Sequence, residues 1–560
     1  MSSIDWAVIA IYLIAVIGLG VTAGFVRQKN ERGGEGGHYF LAGNTLKWPM
    51  IGLAMFAANI STVHLVSLAE AAYKFGLVFG NFEWMAGFTL VLLSLFFAPL
   101  YMRSRVTTVP DFLERRFNRS CRDVLSVISL FSAIVIHMGV ALYTAAWVLR
   151  GILGLGLGAT ILGVDALLLF IAVLGVATGI YTMLGGLLAV VWTESVQTVL
   201  LLVGAVVVTI AAYVKIGGWT ELAHTLASHP HPLASVTGSQ VTWGTANFLN
   251  LARDAKDPSG LSWYSILLGY PVIGIWYFCC DQTIVQRVLA AKDERNARLG
   301  PLFCAFLKIF PVFLFVLPGV ICVALVQKNL FNGAAPQAAA DTYTFMLTHL
   351  LPIGLKGVVV AALIAAAMQT CSAALNSAAT LIAYDLCKRY KPGLKDPQLV
   401  RIGKITTVTG TVLAIIASPL FGHYTTIFEG INKLISYVSP PVTAVFLLGI
   451  FWKRASGKSA FITLVLGMVL GLATFLLDWN NIYRGDFMLI AFGLLVACIV
   501  TMIVTTFLFP EQLKVEARLL VWESWREPLR GDAGGRALGN YRVLTVVVLA
   551  VFVTLYLFFH

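Results

Sequence analysis

Four polar residues stand within six positions of an otherwise apolar stretch, in the segment YFLAGNTLKWPMIGLAMFAANISTVHL that runs from Tyr39 to Leu65. They are Asn59, Ser61, Thr62 and His64. An amide, two hydroxyls and an imidazole all form hydrogen bonds, and each costs free energy if left unpaired in hydrocarbon. The cluster must therefore face other helices or a wet cavity. One reading is polar glue between helices. The other is a broken helix, whose unwound carbonyls hold a cation while the nearby side chains hold a substrate at mid-membrane.

Composition says what must carry this cluster. Of 560 residues, 59% are hydrophobic and only 12% are charged, and mean hydropathy is +0.85. That balance lies far outside soluble domains and implies a polytopic protein in a lipid bilayer. The net charge of +12 would suit nucleic acid if the basic residues formed one water-facing patch, but they punctuate apolar segments instead, so no nucleic-acid partner is expected. Eight scattered cysteines give neither a disulfide framework nor a CxxC metal site, and the adjacent Cys279 and Cys280 read as packing residues. HExxH, GxSxG and the phosphate-loop pattern are all absent, which argues against a membrane hydrolase or an ATP-driven pump. The chain is not expected to be an enzyme.

Apolar runs predict spans over Ile4 to Val26, Trp48 to Tyr73, Phe82 to Met102, Val124 to Leu149, Ala166 to Leu184 and Leu187 to Val214. A second set covers Ser262 to Val288, Leu302 to Val326, Gly357 to Tyr384, Val400 to Phe421 and Thr425 to Phe451. Ala460 to Leu477, Phe487 to Phe509 and Arg542 to Phe559 bring the expected total to fourteen helices. The first is not a signal peptide: no basic residues precede it and Arg27, Lys29 and Arg32 follow it. Alternating the spans puts most of the 39 Lys and Arg residues on one side, including Arg103, Arg122, Arg287, Lys388, Lys453 and Arg518 with their neighbours. That side is expected to be cytoplasmic, with both termini outside.

After the first helix, two sets of five would be inverted relative to each other, which is transporter logic. The expected organisation is an N-terminal extra helix at 1–26, a first five-helix repeat at 48–214, an inverted second repeat at 262–451 and three further helices at 452–560. GLGLGAT at 154–160 reads as a loop between helices, and His229 and His231 in SHPHPL read as loop residues rather than metal ligands.

Many short motifs in the right order carry a resemblance. YFLAG at 39–43, AANIS at 57–61, FEWMA at 82–86 and VPDFLERRF at 109–117 resemble the solute:sodium symporter family. YTMLGG at 181–186, VVWTESVQ at 190–197, DQTIVQRVLAAK at 281–292, LNSAAT at 375–380 and SPPVTAVFLLGIFWKR at 439–454 are similar to its sodium/glucose cotransporter branch. The resemblance implies an all-α polytopic protein with a LeuT-like five-plus-five inverted-repeat core. It also implies sodium-driven uptake by alternating access.

Carried over residue by residue, it implies substrate contacts from Asn59, His64, Glu83, Tyr277, Phe278, Lys308 and Asn432. That mixture suits a polyol, whose hydroxyls both donate and accept. Glu83 and Lys308 are the most informative, because a charge at mid-membrane costs roughly 2.5–3.5 kcal/mol on insertion scales and so needs a partner or a purpose. The family's gates correspond to Leu68, Phe82 and Phe428 on the outer side and Tyr277 on the inner side. Phe278 stands where the sugar cotransporters usually carry Trp, and Asn432 where they usually carry Gln, which leaves the particular sugar open. Glu429 and Lys433 flank Asn432 as gate or pairing residues.

For Na+, the resemblance implies carbonyls of Ala57 and Ile60 together with Ala366, Gln369 and Thr370, where Gln369 replaces the expected Ser. Glu194 stands where some members carry an Asp linked to a further sodium, and no second ion is assigned. The expected function is sodium-coupled symport of a neutral sugar or polyol, of hexose or inositol type, across an inner or plasma membrane. Two alternatives are a sugar sensor whose coupling Gln369 has impaired, and a symporter of an organic acid such as sialic acid, for which His137 would neutralise the carboxylate.

Overall fold

Long apolar runs leave the backbone one way to satisfy its N–H and C=O groups in hydrocarbon, and the chain is helical almost throughout. The computed structural model describes residues 2–12, 14, 15, 18, 42–228 without 157, and 248–559 without 256, 258, 424–426, 484 and 531–538. Of residues 62, 63, 184–196, 423, 427 and 429 it describes the backbone alone.

The chain opens with α1 (Ser3–Tyr12), α2 (Trp48–Asn59), α3 (Thr62–Phe75) and α4 (Asn81–Leu92), the last continuing through a π-helical turn to Ser104. Next come α5 (Arg119–Ile152), α6 (Ala166–Ile216), α7 (Trp263–Cys280), α8 (Gln282–Leu289), α9 (Glu294–Gln327) and α10 (Leu355–Lys388). The order ends with α11 (Asp396–Gly422), α12 (Ile427–Phe451), α13 (Gly457–Trp479), α14 (Phe487–Leu508) and α15 (Tyr541–Phe558). The glycine-rich loop after α5 leads into a small hairpin, in which β1 (Thr160–Ile161) pairs antiparallel with β2 (Val164–Asp165).

Among the described residues, twelve segments are long and apolar enough to cross a membrane, two of them (Ala166–Met183 and Gln197–Ile216) on α6, where the sequence predicts fourteen spans. The difference has two sources. Most of the first expected span lies outside the described residues, and the second is cut into α2 and α3, neither of which crosses alone. The break expected between Leu184 and Leu187 is not seen in the backbone, where α6 runs unbroken for 51 residues. It is not a straight rod across the bundle, however. Tyr181 of α6 donates its hydroxyl to Met368 O of α10, whereas the later Gly204 packs on Val359, back toward the start of α10.

Contacts sort the connections into two ends. At one end Lys292 N–H donates to Leu46 O, Arg122 pairs with Asp385, Arg389 with Asp123 and Arg103 with Glu527, while Arg116 donates to the carbonyls of Gly449 and Trp452. All these basic groups come from segments that the charge pattern places on one side. At the other end Lys328 meets Glu221, Leu251 N–H donates to Phe559 O, and Asp5 caps the start of α10.

Two close approaches depend on glycine. Gly76 has φ +80° at the reversal from α3 to α4, and a Cβ there would meet Phe248 O at 2.2 Å. Gly319 lets α9 lie against the Ala69 carbonyl of α3, 2.3 Å from where a Cβ would sit. Small residues draw membrane helices together in this way.

Asp5 is fully buried, and its Oδ1 accepts from Gly354 N–H at 2.8 Å and Gly357 N–H at 3.0 Å. Asp5→Ala strands those two donors. The expected cost is about 1–3 kcal/mol, read as a lower thermal midpoint of the purified protein; an unchanged midpoint would mean that α1 does not staple α10.

Candidate functional site

The site is built on interruptions in three helices. α2 stops at Asn59, and Ile60 takes an extended conformation (φ −79°, ψ 113°) before α3 begins. No proline causes this. Asn and Ser favour helix ends over helix interiors. The His64 ring completes the new start, its Nδ1 accepting from Ser61 N–H at 3.4 Å. The polar cluster is therefore the broken helix rather than simple interhelical glue.

A second break, which the sequence reading passes over, lies at Asp281 (φ −76°, ψ 127°). Here α7 widens into a π-helical turn over Trp276–Cys280, and Asp281 caps α8 by accepting from Thr283 N–H at 2.8 Å. The third interruption follows from Pro311, which has no N–H to give to the preceding turn of α9. The helix loosens at Lys308 and Ile309, and Ile309 O accepts from Trp84 Nε1 at 3.2 Å.

Between these breaks lies a cavity with about 870 Å³ of empty space. All seven residues expected to contact substrate line it: Asn59, His64, Glu83, Tyr277, Phe278, Lys308 and Asn432. On one wall Lys308 Nζ donates to Glu83 Oε2 at 2.6 Å, both side chains being only 2% exposed, and His64 Nε2 stands 3.8 Å from Glu83 Oε1. The Lys308 ammonium also lies 5.9 Å from the ring centres of Phe56 and Phe278. Asn432 Nδ2 donates to Phe428 O at 2.8 Å, and the buried Asn59 Oδ1 has no protein partner.

Above them the rings of Phe82 and Phe428 meet edge to face at 4.6 Å. Phe79, which the sequence reading did not select, completes this lid at 5.0 Å from Phe428. Leu68 is buried but is absent from the cavity wall, so of the expected gate residues only Phe82, Phe428 and Tyr277 face the space. Tyr277 is half-buried beneath, with its ring 5.0 Å from Phe278.

The lining also includes Ser67, Tyr270 and His137. Tyr270 donates its hydroxyl to Phe82 O at 2.8 Å and so holds the lid residue, while His137 Nε2 lies 3.4 Å from Asp281 Oδ2. A helix-capping Asp-Gln-Thr in the middle of an apolar run was the available signal for the second break.

Of the residues expected to hold sodium, Ala57 and Ile60 end the first half-helix, and Ala366, Gln369 and Thr370 lie on α10, which packs against it. All five are buried. Thr370 also lines the cavity, and its hydroxyl lies 3.4 Å from Ala366 O. This donor set of carbonyl, amide and hydroxyl oxygens suits a hard monovalent cation. No cluster of three His, Cys, Asp or Glu forms among the described residues, and the eight cysteines are free. Lys433 pairs with Asp478 on α13. The side chains of Glu194 and Glu429 and the whole of His229 and His231 lie outside the described residues.

A model of the sodium:solute symporter family matches residues 39–467. The sodium/glucose cotransporter of Vibrio parahaemolyticus is 34% identical over 83% of this chain and 84% of its own. Rat sodium/glucose cotransporter 2 is 34% identical over 84% and 71%, and mouse sodium/myo-inositol cotransporter 2 is 32% identical over 86% and 71%. The fold matches a solved Na+-coupled sialic acid symporter in a substrate-bound, outward-open state, with TM-score 0.74, 24% identity, and coverage of 92% of this chain and 100% of that one. Two broken helices around a cavity, a whole-chain fold match and relatives that cover most of their own length agree: the chain is a multi-pass membrane transporter that belongs to the sodium:solute symporter family, with sodium as its co-transported ion.

Proposed function

We propose that the substrate is a neutral sugar or polyol of hexose or inositol size, carried by alternating access. The observation that supports this reading is the pairing of cavity charges. Lys308 is matched by Glu83 at 2.6 Å and the His137 imidazole stands 3.4 Å from Asp281, so neither basic side chain is left over for a substrate carboxylate. Around these pairs stand uncharged hydrogen-bonding groups, Asn59, Ser67 and Asn432, and the rings of Tyr277 and Phe278. That wall suits hydroxyls and a ring face. The sodium/glucose and sodium/myo-inositol cotransporters among its relatives point the same way.

In this reading Phe82 and Phe428 close the outer side, Tyr277 closes the inner side, and sodium sits among Ala57, Ile60, Ala366, Gln369 and Thr370. The breaks at Ile60 and Asp281 fall in the first helix of each expected set of five, which supports repeats at 48–214 and 262–451 with additions at 1–26 and 452–560. The basic end faces the cytoplasm, and both termini lie outside.

The test is uptake by proteoliposomes of labelled D-glucose, myo-inositol and sialic acid under an inward sodium gradient. One or both neutral compounds are expected to accumulate. Accumulation of sialic acid alone would overturn the reading.

A further inference from the structure

The cavity wall also holds a second polar assembly, apart from the Lys308–Glu83 pair. His137 sits in the π-helical turn Ser132–Gly139 of α5 and is 7% exposed. Its Nε2 faces Asp281 Oδ2 at 3.4 Å, and that same oxygen accepts from Ser132 Oγ at 3.0 Å. Asp281 Oδ1 accepts from Thr283 N–H in the first turn of α8 at 2.8 Å. The carboxylate is thus held from two sides, and its orientation is fixed.

A carboxylate beside Nε2 draws the imidazole proton to that nitrogen. The other nitrogen, Nδ1, then carries a lone pair. Among the described residues Nδ1 meets no protein donor, and the His137 side chain lines the cavity. The Tyr277 ring, 5.5 Å away, packs beside the imidazole. An acceptor with no protein donor in the wall of a cavity is open to a donor from a substrate hydroxyl.

We propose that His137 is a specificity-determining residue of the substrate site, its Nδ1 accepting a hydrogen bond from one substrate hydroxyl, with Asp281 as the positioning residue that fixes the orientation of the ring. This rests on the neutral-polyol reading and adds a selective contact beyond those of the Glu83–Lys308 pair. It explains why the widened turn of α5 faces the second break: the π turn brings the ring to Asp281.

Two amide substitutions separate this from a structural role, because Asn places its amide near the position of Nδ1 and Gln near that of Nε2. Sodium-dependent uptake of D-glucose, myo-inositol and the monodeoxyglucoses is measured in proteoliposomes for the wild type, His137→Asn and His137→Gln. In the wild type, one deoxy analogue is expected to show a half-saturation constant about tenfold higher than its parent because it lacks the donor to Nδ1. His137→Asn is expected to keep that penalty. His137→Gln is expected to lose it while the penalties at other hydroxyls persist. Retention of the full wild-type pattern by His137→Gln overturns the proposal, as does loss of the same penalty in both variants; if the Asn variant does not purify, the Gln result decides alone. Failure of the wild type to take up any neutral compound overturns the polyol reading, and the inference with it, and is distinguished by appearing before any substitution is made.

Discussion

Lys308→Met is expected to abolish uptake and to lower stability by about 3–5 kcal/mol, the range for removing one partner of a buried ion pair. The reason is the Glu83 carboxylate that remains. At 2% exposure and deprived of the ammonium 2.6 Å away, it must stay charged in an apolar wall or take up a proton. His64, at 3.8 Å, is too distant to replace the lysine. The double variant Glu83→Gln with Lys308→Met removes both charges and is expected to recover most of the lost stability, because an uncharged replacement of a buried pair is often neutral. Uptake is not expected to return, since hydroxyls of the substrate lose two of their charged partners. Thermal midpoints and uptake of the single and double variants check this. If the double variant transports like the wild type, the pair is a brace between α4 and α9 and does not touch substrate.

Thr370→Val is expected to raise the half-saturating sodium concentration on the order of ten- to hundredfold, with little change in the amount of folded protein. The substitution keeps the shape of the side chain and removes one hydroxyl from a buried position. Its hydroxyl lies 3.4 Å from Ala366 O, a long contact whose loss costs little in the fold. A hard cation has few ways to replace a lost oxygen ligand. Gln369→Ser, by contrast, is expected to keep sodium dependence, because a hydroxyl and an amide carbonyl both offer oxygen. Sodium titrations of uptake at fixed sugar decide both, and an unchanged sodium curve in Thr370→Val would move the cation site elsewhere.

The fold was legible where physics acts through composition and charge. Apolar runs gave the spans, and the basic segments that the spans predicted to share a side do meet, as in Arg122 on Asp385 and Arg116 on Gly449. The broken first helix was legible because four polar residues in hydrocarbon need an explanation. The second break was harder to see. Asp281 follows two cysteines in an apolar run, and only the folded chain shows that it caps α8 and faces His137. The role of Phe79 was hidden for another reason: a phenylalanine among phenylalanines carries no local signal, and its place in the lid depends on α12 bringing Phe428 to it. Leu68, expected as a gate residue, is buried and is not among the residues that line the cavity. Pro311 was in plain view, but only the folded chain shows that the turn it loosens is the one that carries Lys308.

Coupling is the central claim, and it has an energetic scale. One positive charge moving across 100 mV releases about 2.3 kcal/mol, enough for roughly fortyfold accumulation of a neutral solute. The most direct measurement is therefore uptake of labelled D-glucose and myo-inositol into proteoliposomes with an inside-negative potential, in sodium and in sodium-free buffer. Accumulation above the external concentration that requires sodium and grows with the imposed potential is the expected result. Saturable binding with no accumulation under any gradient would contradict the account and mark the chain as a sensor built on a transporter's fold.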